Sequence, residues 1–74
     1  MVSACVLICC RSGRFTDVVN RVKKMRGVRK AFHTLGRWDV AVEVETADIK
    51  ALGKLALRIH KLSGVRASET LVGF

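Results

Sequence analysis

Two different hydrophobic periods succeed one another along the 74 residues, and their order predicts the elements of the fold. Val2 to Cys10 is apolar and β-branched on both faces, as a central strand covered on two sides would be. Ser12-Gly13 breaks that run. From Arg14 to Arg26 the apolar residues Phe15, Val18, Val19, Val22 and Met25 fall on one helical stripe, with Arg21, Lys23, Lys24 and Arg26 off it. Gly27 stands where a helix C-cap takes left-handed geometry. A second strand is predicted over Val28 to Leu35. A third is predicted over Trp38 to Glu45, where Trp38, Val40, Val42 and Val44 alternate with Asp39, Ala41, Glu43 and Glu45. Thr46-Ala47-Asp48 offers capping side chains to a second helix that Ile49, Leu52, Leu55, Ala56, Ile59 and Leu62 carry to about Leu62. Gly53 inside that helix costs about 1 kcal/mol relative to Ala, which predicts a close approach to the sheet. After Gly64, Val65 to Phe74 reads as the closing strand.

Shifting the chain by 37 positions lays Arg21-Val22-Lys23-Lys24-Met25-Arg26-Gly27-Val28-Arg29 over Arg58-Ile59-His60-Lys61-Leu62-Ser63-Gly64-Val65-Arg66. Arginines, apolar positions and the Gly-Val pair coincide. The chain is therefore strand-helix-strand twice over, hinged at Leu35-Gly36-Arg37-Trp38-Asp39. Right-handed crossovers then predict a ferredoxin-like α+β sandwich: four antiparallel strands in the order 4-1-3-2, both helices on one face.

A chain of this length is one domain, residues 1–74, and buries only about 60% of its unfolded surface, so a lone monomer is marginal. Half of the residues are apolar, with one Trp, three Phe and no Tyr, which is more aliphatic surface than two short helices can cover. The excess predicts an open apolar sheet face closed by a second copy of the chain. The longest apolar run, Ala4 to Cys10, is far short of the roughly 20 residues that span a bilayer, and no basic segment precedes it, so no membrane partner is expected. Cys5, Cys9 and Cys10 are an odd number on one strand, Cys5 and Cys9 on one face and Cys10 on the other, with His33 and His60 elsewhere. That arrangement reads as reduced, buried thiols of a cytoplasmic protein, against the alternative of a metal or redox role. No metal or cofactor is expected.

Charge is uneven: residues 1–37 carry nine Lys or Arg against Asp17 alone, whereas residues 38–74 carry five against five acids. The whole net charge of +8 thus arises in the first half. Such a cluster points to an anionic partner or to a solvated helix face.

With these elements in order, the sequence resembles the ligand-binding domain of the Lrp/AsnC, or feast/famine, family of transcriptional regulators. The resemblance rests on the opening strand Val2-Ser3-Ala4-Cys5-Val6-Leu7-Ile8, the helix-ending Gly27-Val28 and the hinge Gly36-Arg37-Trp38-Asp39. It closes with Gly64-Val65 and Glu69-Thr70-Leu71-Val72. Family members commonly carry a helix-turn-helix domain before this one, and here Met1 opens the first strand, so the resemblance implies the stand-alone form known as a RAM domain (regulation of amino-acid metabolism). It further implies dimers through the sheet face, rings commonly of four dimers (octamers), an amino acid or similar effector bound between dimers, and full-length Lrp/AsnC-type regulators as partners. Arg11-Ser12-Gly13 departs from the family's frequent Pro-Gly turn, and the chain is unusually basic and Cys-rich.

On this resemblance the ligand-binding candidates are Leu35, Gly36, Arg37, Trp38, Asp39, Ser68 and Thr70. Asp39 could anchor an effector ammonium, or cap the hairpin by accepting backbone N–H bonds. Trp38 could cover a ligand or serve as core or interface. Ser68 and Thr70, on one face of the last strand with Arg66, could offer hydroxyls to a carboxylate or be ordinary surface hydroxyls. His33 is a strand residue without chemistry. An enzyme is not expected: there is no paired-acid spacing, nucleophile elbow, metal knuckle or glycine-rich phosphate loop. The competing reading is a basic ferredoxin-like nucleic-acid binder using Arg21, Lys23, Lys24, Arg26, Arg29 and Lys30, weakly and without sequence preference.

Overall fold

A computed structural model of the chain describes residues 1–72 and yields the order β1 (Val2–Cys10), α1 (Phe15–Lys23), β2 (Val28–His33), β3 (Val40–Thr46), α2 (Ile49–His60), β4 (Val65–Val72). The strands form one sheet in the order β2-β3-β1-β4, every pairing antiparallel, which is the βαββαβ arrangement expected from the repeat.

Alternation along β1 decides which face is core. Ala4, Val6, Ile8 and Cys10 point under the helices and are buried, as are Val40, Val42 and Val44 of β3 beside them. From above come Val18 and Val22 of α1 and Leu52, Leu55 and Ile59 of α2, the inward stripes of the two helices. Each fully buried Val or Ile here contributes about 1.5–3 kcal/mol relative to exposure. Asp48 caps α2, its side chain accepting the Ala51 N–H at 2.8 Å.

Several elements are shorter than the hydrophobic pattern suggests. α1 ends at Lys23 because Lys24 and Met25 turn tightly, donating to the carbonyls of Arg21 and Val22, and lead into Gly27 at φ +97°. α2 likewise stops at His60, short of Leu62. β2 stops at His33 and β3 begins at Val40, so Trp38 and Asp39 belong to the connection; Trp38, aligned with the inward valines by alternation, is only half-buried. The expected extension of β4 to Phe74 lies outside the described residues. Gly53 makes no close approach to the sheet: a Cβ there would meet nothing within 4 Å.

The face of the sheet away from the helices is mixed rather than apolar throughout. Cys5, Leu7 and Cys9 run down its middle, beside Ala41 on β3 and Ala67 and Leu71 on β4, with Phe32 on β2. Lys30, Glu43, Glu45 and Glu69 share that face with them. Phe32 and Leu71 remain 41% and 44% exposed in the single chain.

Candidate functional site

The hinge is built by its backbone. Thr34 N–H donates to the Asp39 carbonyl at 2.8 Å, and the Thr34 hydroxyl donates to the Trp38 carbonyl, closing residues 34–39 into a short protruding loop. Gly36 at its tip has φ +115°, a left-handed conformation that a side chain would strain, and a Cβ there would meet nothing within 4 Å. Leu35 beside it is 95% exposed.

Asp39 ties this loop to β1. Its N–H donates to the Ile8 carbonyl at 2.8 Å, and its Oδ2 accepts the Cys10 N–H at 2.7 Å, so the chain on both sides of Cys9 is fixed to one residue. The backbone-capping role considered for Asp39 is thus present, directed at β1 rather than within the hairpin. Among the described residues Oδ1 has no partner, leaving an acceptor with charge to share.

The structure does not gather the remaining candidates beside Asp39 within one chain. Ser68 pairs with Ile8 and Thr70 with Val6, so both point to the helix face of β4, two strands from β3. The Ser68 hydroxyl lies 2.8 Å from His60 Nδ1 on α2, a partner that sequence spacing did not suggest. Arg66 does not share their face. Pairing shifts from Cys9–Ala67 to Cys10–Val65, leaving Arg66 as the extra residue of a β-bulge, and its guanidinium reaches Cys9 Sγ at 3.3 Å on the opposite side.

The six basic candidates are dispersed as well. Arg21 pairs with Asp17 at 3.3 Å and Arg29 with Glu45 at 2.6 Å. Lys30 sits over the Phe32 ring, 5.8 Å from its centroid. Lys23 borders a depression of about 310 Å³ between α1 and β2, where Phe15 stacks on His33 with centroids 4.4 Å apart. Arg26 borders a different one, which runs along α2 beside Gly27 and the end of β3. Lys24 is exposed in the turn after α1.

Burial raises the Cys10 thiol pKa, with smaller contributions from the nearby Asp39 and Cys9 charges. Among the described residues no group of three or more His, Cys, Asp or Glu side chains could hold a metal ion, and no helix is long and apolar enough to cross a membrane.

Against known proteins, the model of the Lrp/AsnC ligand binding domain matches residues 3–74. An uncharacterised HTH-type transcriptional regulator of Pyrococcus furiosus is 27% identical over 59 residues; the match takes in 78% of this chain and 39% of that protein. The match therefore takes in well under half the length of that relative. A hypothetical protein of Pyrococcus horikoshii, known from its crystal structure, superposes with TM-score 0.92 at 27% identity, covering all of this chain and 90% of that one. A transcriptional regulator from Neisseria meningitidis, crystallised as its L-Met complex, shares the fold with TM-score 0.86 at 17% identity, covering 99% of this chain and 49% of that one. Two of these relatives, from Pyrococcus furiosus and Neisseria meningitidis, are transcriptional regulators by name.

Proposed function

The chain belongs to the Lrp/AsnC ligand-binding-domain family, and from that premise we propose that it is an effector-sensing, self-associating module of transcription regulation. Two copies join through the open faces of their sheets, and dimers assemble into a ring with a small amino acid held between them. The observation that carries this reading is the half-committed carboxylate of Asp39: Oδ2 is fixed by the Cys10 N–H while Oδ1 faces no partner among the described residues. An ammonium group would complete it with a charge-assisted bond, about twice as strong as a neutral one. The uncovered backbone around Gly36 offers N–H groups to the effector carboxylate, and a neighbouring dimer would bring its Thr70, Trp38 and exposed Leu35 to the same cleft. Ser68 and Thr70 lie on the far side of β1 from Asp39 in one chain, which supports a site that draws these groups from different copies. The L-Met complex of the Neisseria regulator supports an amino acid as the class of effector.

For the dimer, the support is the apolar centre of the open sheet face, Cys5, Leu7, Cys9, Phe32 and Leu71. A full-length regulator of the same family would fit the same surfaces. Nucleic acid, the competing partner, would be held weakly, since Arg21 and Arg29 already spend charge on Asp17 and Glu45 and the cations are scattered.

Calorimetric titration of the chain and of Asp39→Asn against an amino-acid panel tests the proposal. Saturable heat from one or more members, weakened about ten- to a hundredfold in the variant, is the expected result, the equivalent of losing roughly 1.5–3 kcal/mol. Absence of heat from every member, or equal affinity in both proteins, would leave Asp39 a purely structural residue.

A further inference from the structure

The duplication places two glycine corners in equivalent positions, each lying under the opposite repeat's helix, and they differ in one respect that matters for binding. A Cβ on Gly64 would come within 3.2 Å of Val18 Cγ2 on α1, and one on Gly27 within 3.1 Å of Leu55 Cδ2 on α2. Val18 and Leu55 correspond under the 37-residue shift, and so do Arg14 and Ala51, Asp17 and Lys54, Arg21 and Arg58, and Ser63 and Arg26.

At the Gly64 corner the space is filled. The Arg14 side chain fills it, so that a Cβ added at Gly64 would meet Arg14 Cβ at 3.2 Å, and its Nη2 donates to Ser63 Oγ at 3.3 Å and to Asp17 Oδ2 at 3.5 Å. Arg21 Nε reaches the same carboxylate at 3.3 Å, so the corner holds two guanidinium groups around one anion.

At the Gly27 corner Ala51 stands in the place of Arg14, leaving a depression of about 340 Å³. Gly27, Thr46, Ala51 and Leu55 line it as small or aliphatic walls, and Arg26, Lys54 and Arg58 as its cations. Where the sibling corner has the carboxylate of Asp17, this one has an ammonium. Glu45, the acid that borders it, is held by Arg29 at 2.6 Å, and Asp48 nearby accepts the Ala51 N–H at 2.8 Å. Among the described residues none of Arg26, Lys54 and Arg58 takes part in an ion pair.

We propose that this depression binds a small organic dianion, a phosphate monoester or a dicarboxylate, whose charged group takes the place that Asp17 occupies in the sibling corner. Three uncompensated cations beside a low-dielectric wall focus a positive potential, and an oxyanion accepting from guanidinium groups makes the strong, charge-assisted class of bond. The volume lies at the small end of the roughly 300–1,000 Å³ of ligand pockets, so the body of the ligand is a few carbon atoms or one ring seated on Ala51 and Leu55. The site is separate from the hinge. Gly27 accepts the Glu45 N–H at the end of β3, and Asp39 precedes its start, six residues or about 20 Å of strand away.

The experiment is a nitrogen–proton NMR titration of the whole chain with phenyl phosphate and, separately, succinate, at constant ionic strength. Saturable shifts confined to Arg26, Gly27, Thr46, Ala51 and Lys54 are expected with at least one probe, and which probe binds more tightly assigns the dianion as phosphate or dicarboxylate. Arg58→Ala should weaken binding about tenfold, and the double change Ala51→Arg with Lys54→Asp, which copies the sibling's ion pair into the cavity, should abolish it. Lys61→Ala, on α2's C-cap and outside the depression, and Asp39→Asn at the hinge should leave it unchanged. If the double variant does not fold, Arg58→Ala alone decides, its side chain being exposed. Non-saturating shifts with both probes, or equal weakening by Lys61→Ala and Arg58→Ala, would overturn the proposal as diffuse attraction to a basic surface. Loss of effector heat at the hinge with retained dianion binding, or the converse, separates the two sites.

Discussion

Replacing Asp39 tests two roles that one carboxylate is asked to fill. In Asp39→Ala the Cys10 N–H loses an ionised acceptor at 2.7 Å in a part-buried position. Bonds to charged groups contribute about 1.5–3 kcal/mol, and partial access of water to the freed N–H favours the lower figure. For a domain of this size about 1.5 kcal/mol corresponds to a fall in Tm of roughly 6–12 °C. In Asp39→Asn the side-chain carbonyl still accepts from Cys10, so about half of the effect is expected to return, a neutral bond being about half as strong as a charged one. The proposed effector would respond differently. With its carbonyl turned to Cys10, the amide of Asn presents N–H donors where Oδ1 stood, and these oppose an ammonium group. Stability should therefore rank wild type, Asn, Ala, while affinity for an amino acid should fall as far in Asn as in Ala. Thermal melts at one fixed protomer concentration, since association shifts Tm, together with calorimetry, read both rankings. An Ala variant melting within about a degree of wild type would show that the Cys10 bond contributes nothing; an Asn variant as unstable as Ala would show that something other than the acceptor is lost.

Gly53→Ala should raise stability by about 0.5–1 kcal/mol, because the helix interior disfavours glycine and a Cβ meets nothing within 4 Å, whereas Gly27→Ala should lower it by about 1–3 kcal/mol through positive φ and the Leu55 contact at 3.1 Å; urea melts compare the two. If the proposed dimer forms through the open sheet face, Leu7→Asp on its central strand should leave the helical circular dichroism intact and give a monomer by light scattering where the parent chain gives a dimer; a dimer surviving the change would place the interface elsewhere. Cys5 and Cys9 share that face with Leu7, so alkylation followed by mass spectrometry should be slow in concentrated protein and faster on dilution, with Cys10, beneath the helices, slow throughout. The raised Cys10 pKa means that the fold disfavours the thiolate: the stability tied to it is complete below the ordinary thiol pKa of about 8.5 and is lost as pH climbs through the raised value. Melting temperature should accordingly decline on the alkaline side, and less so in Cys10→Ala measured against its own neutral-pH value.

How much of this was legible in the sequence depends on whether a residue's role is periodic or relational. The inward stripe Val18, Val22, Leu52, Leu55 and Ile59 and the alternation of Val40, Val42 and Val44 follow from spacing alone, and the 37-residue repeat carries the topology. Trp38 shows where spacing misleads: it continues the period of β3, but Asp39 binds across to Ile8 and Cys10 and leaves Trp38 in the loop. Arg66 departs from the face of Ser68 that alternation assigns to it because a bulge inserts one residue, and bulges leave no periodic trace. The Ser68–His60 and Phe15–His33 pairs join elements whose sequence positions say nothing about each other's side-chain reach. The difference between the Gly27 and Gly64 corners was visible in the alignment of the two halves, as Ala51 against Arg14 and Lys54 against Asp17, but became a cavity only once the helices were seated.

The position of β1 has a consequence for the birth of the chain. β1 lies inside the sheet, and its two neighbours, β3 and β4, both come later in the chain, β4 by more than fifty residues. Until β4 has left the ribosome, one edge of β1 stays unpaired, and its run Ala4 to Cys10 is apolar and free of charge, the composition that seeds cross-β stacking. Completing the sheet waits for β1 to pair with β4, the longest loop closure among these elements, which favours slow folding for so small a domain. Translation speed between β1 and β4, and any chaperone that shields β1 in the interval, should thus bear on the yield of native protein beyond what its equilibrium stability sets.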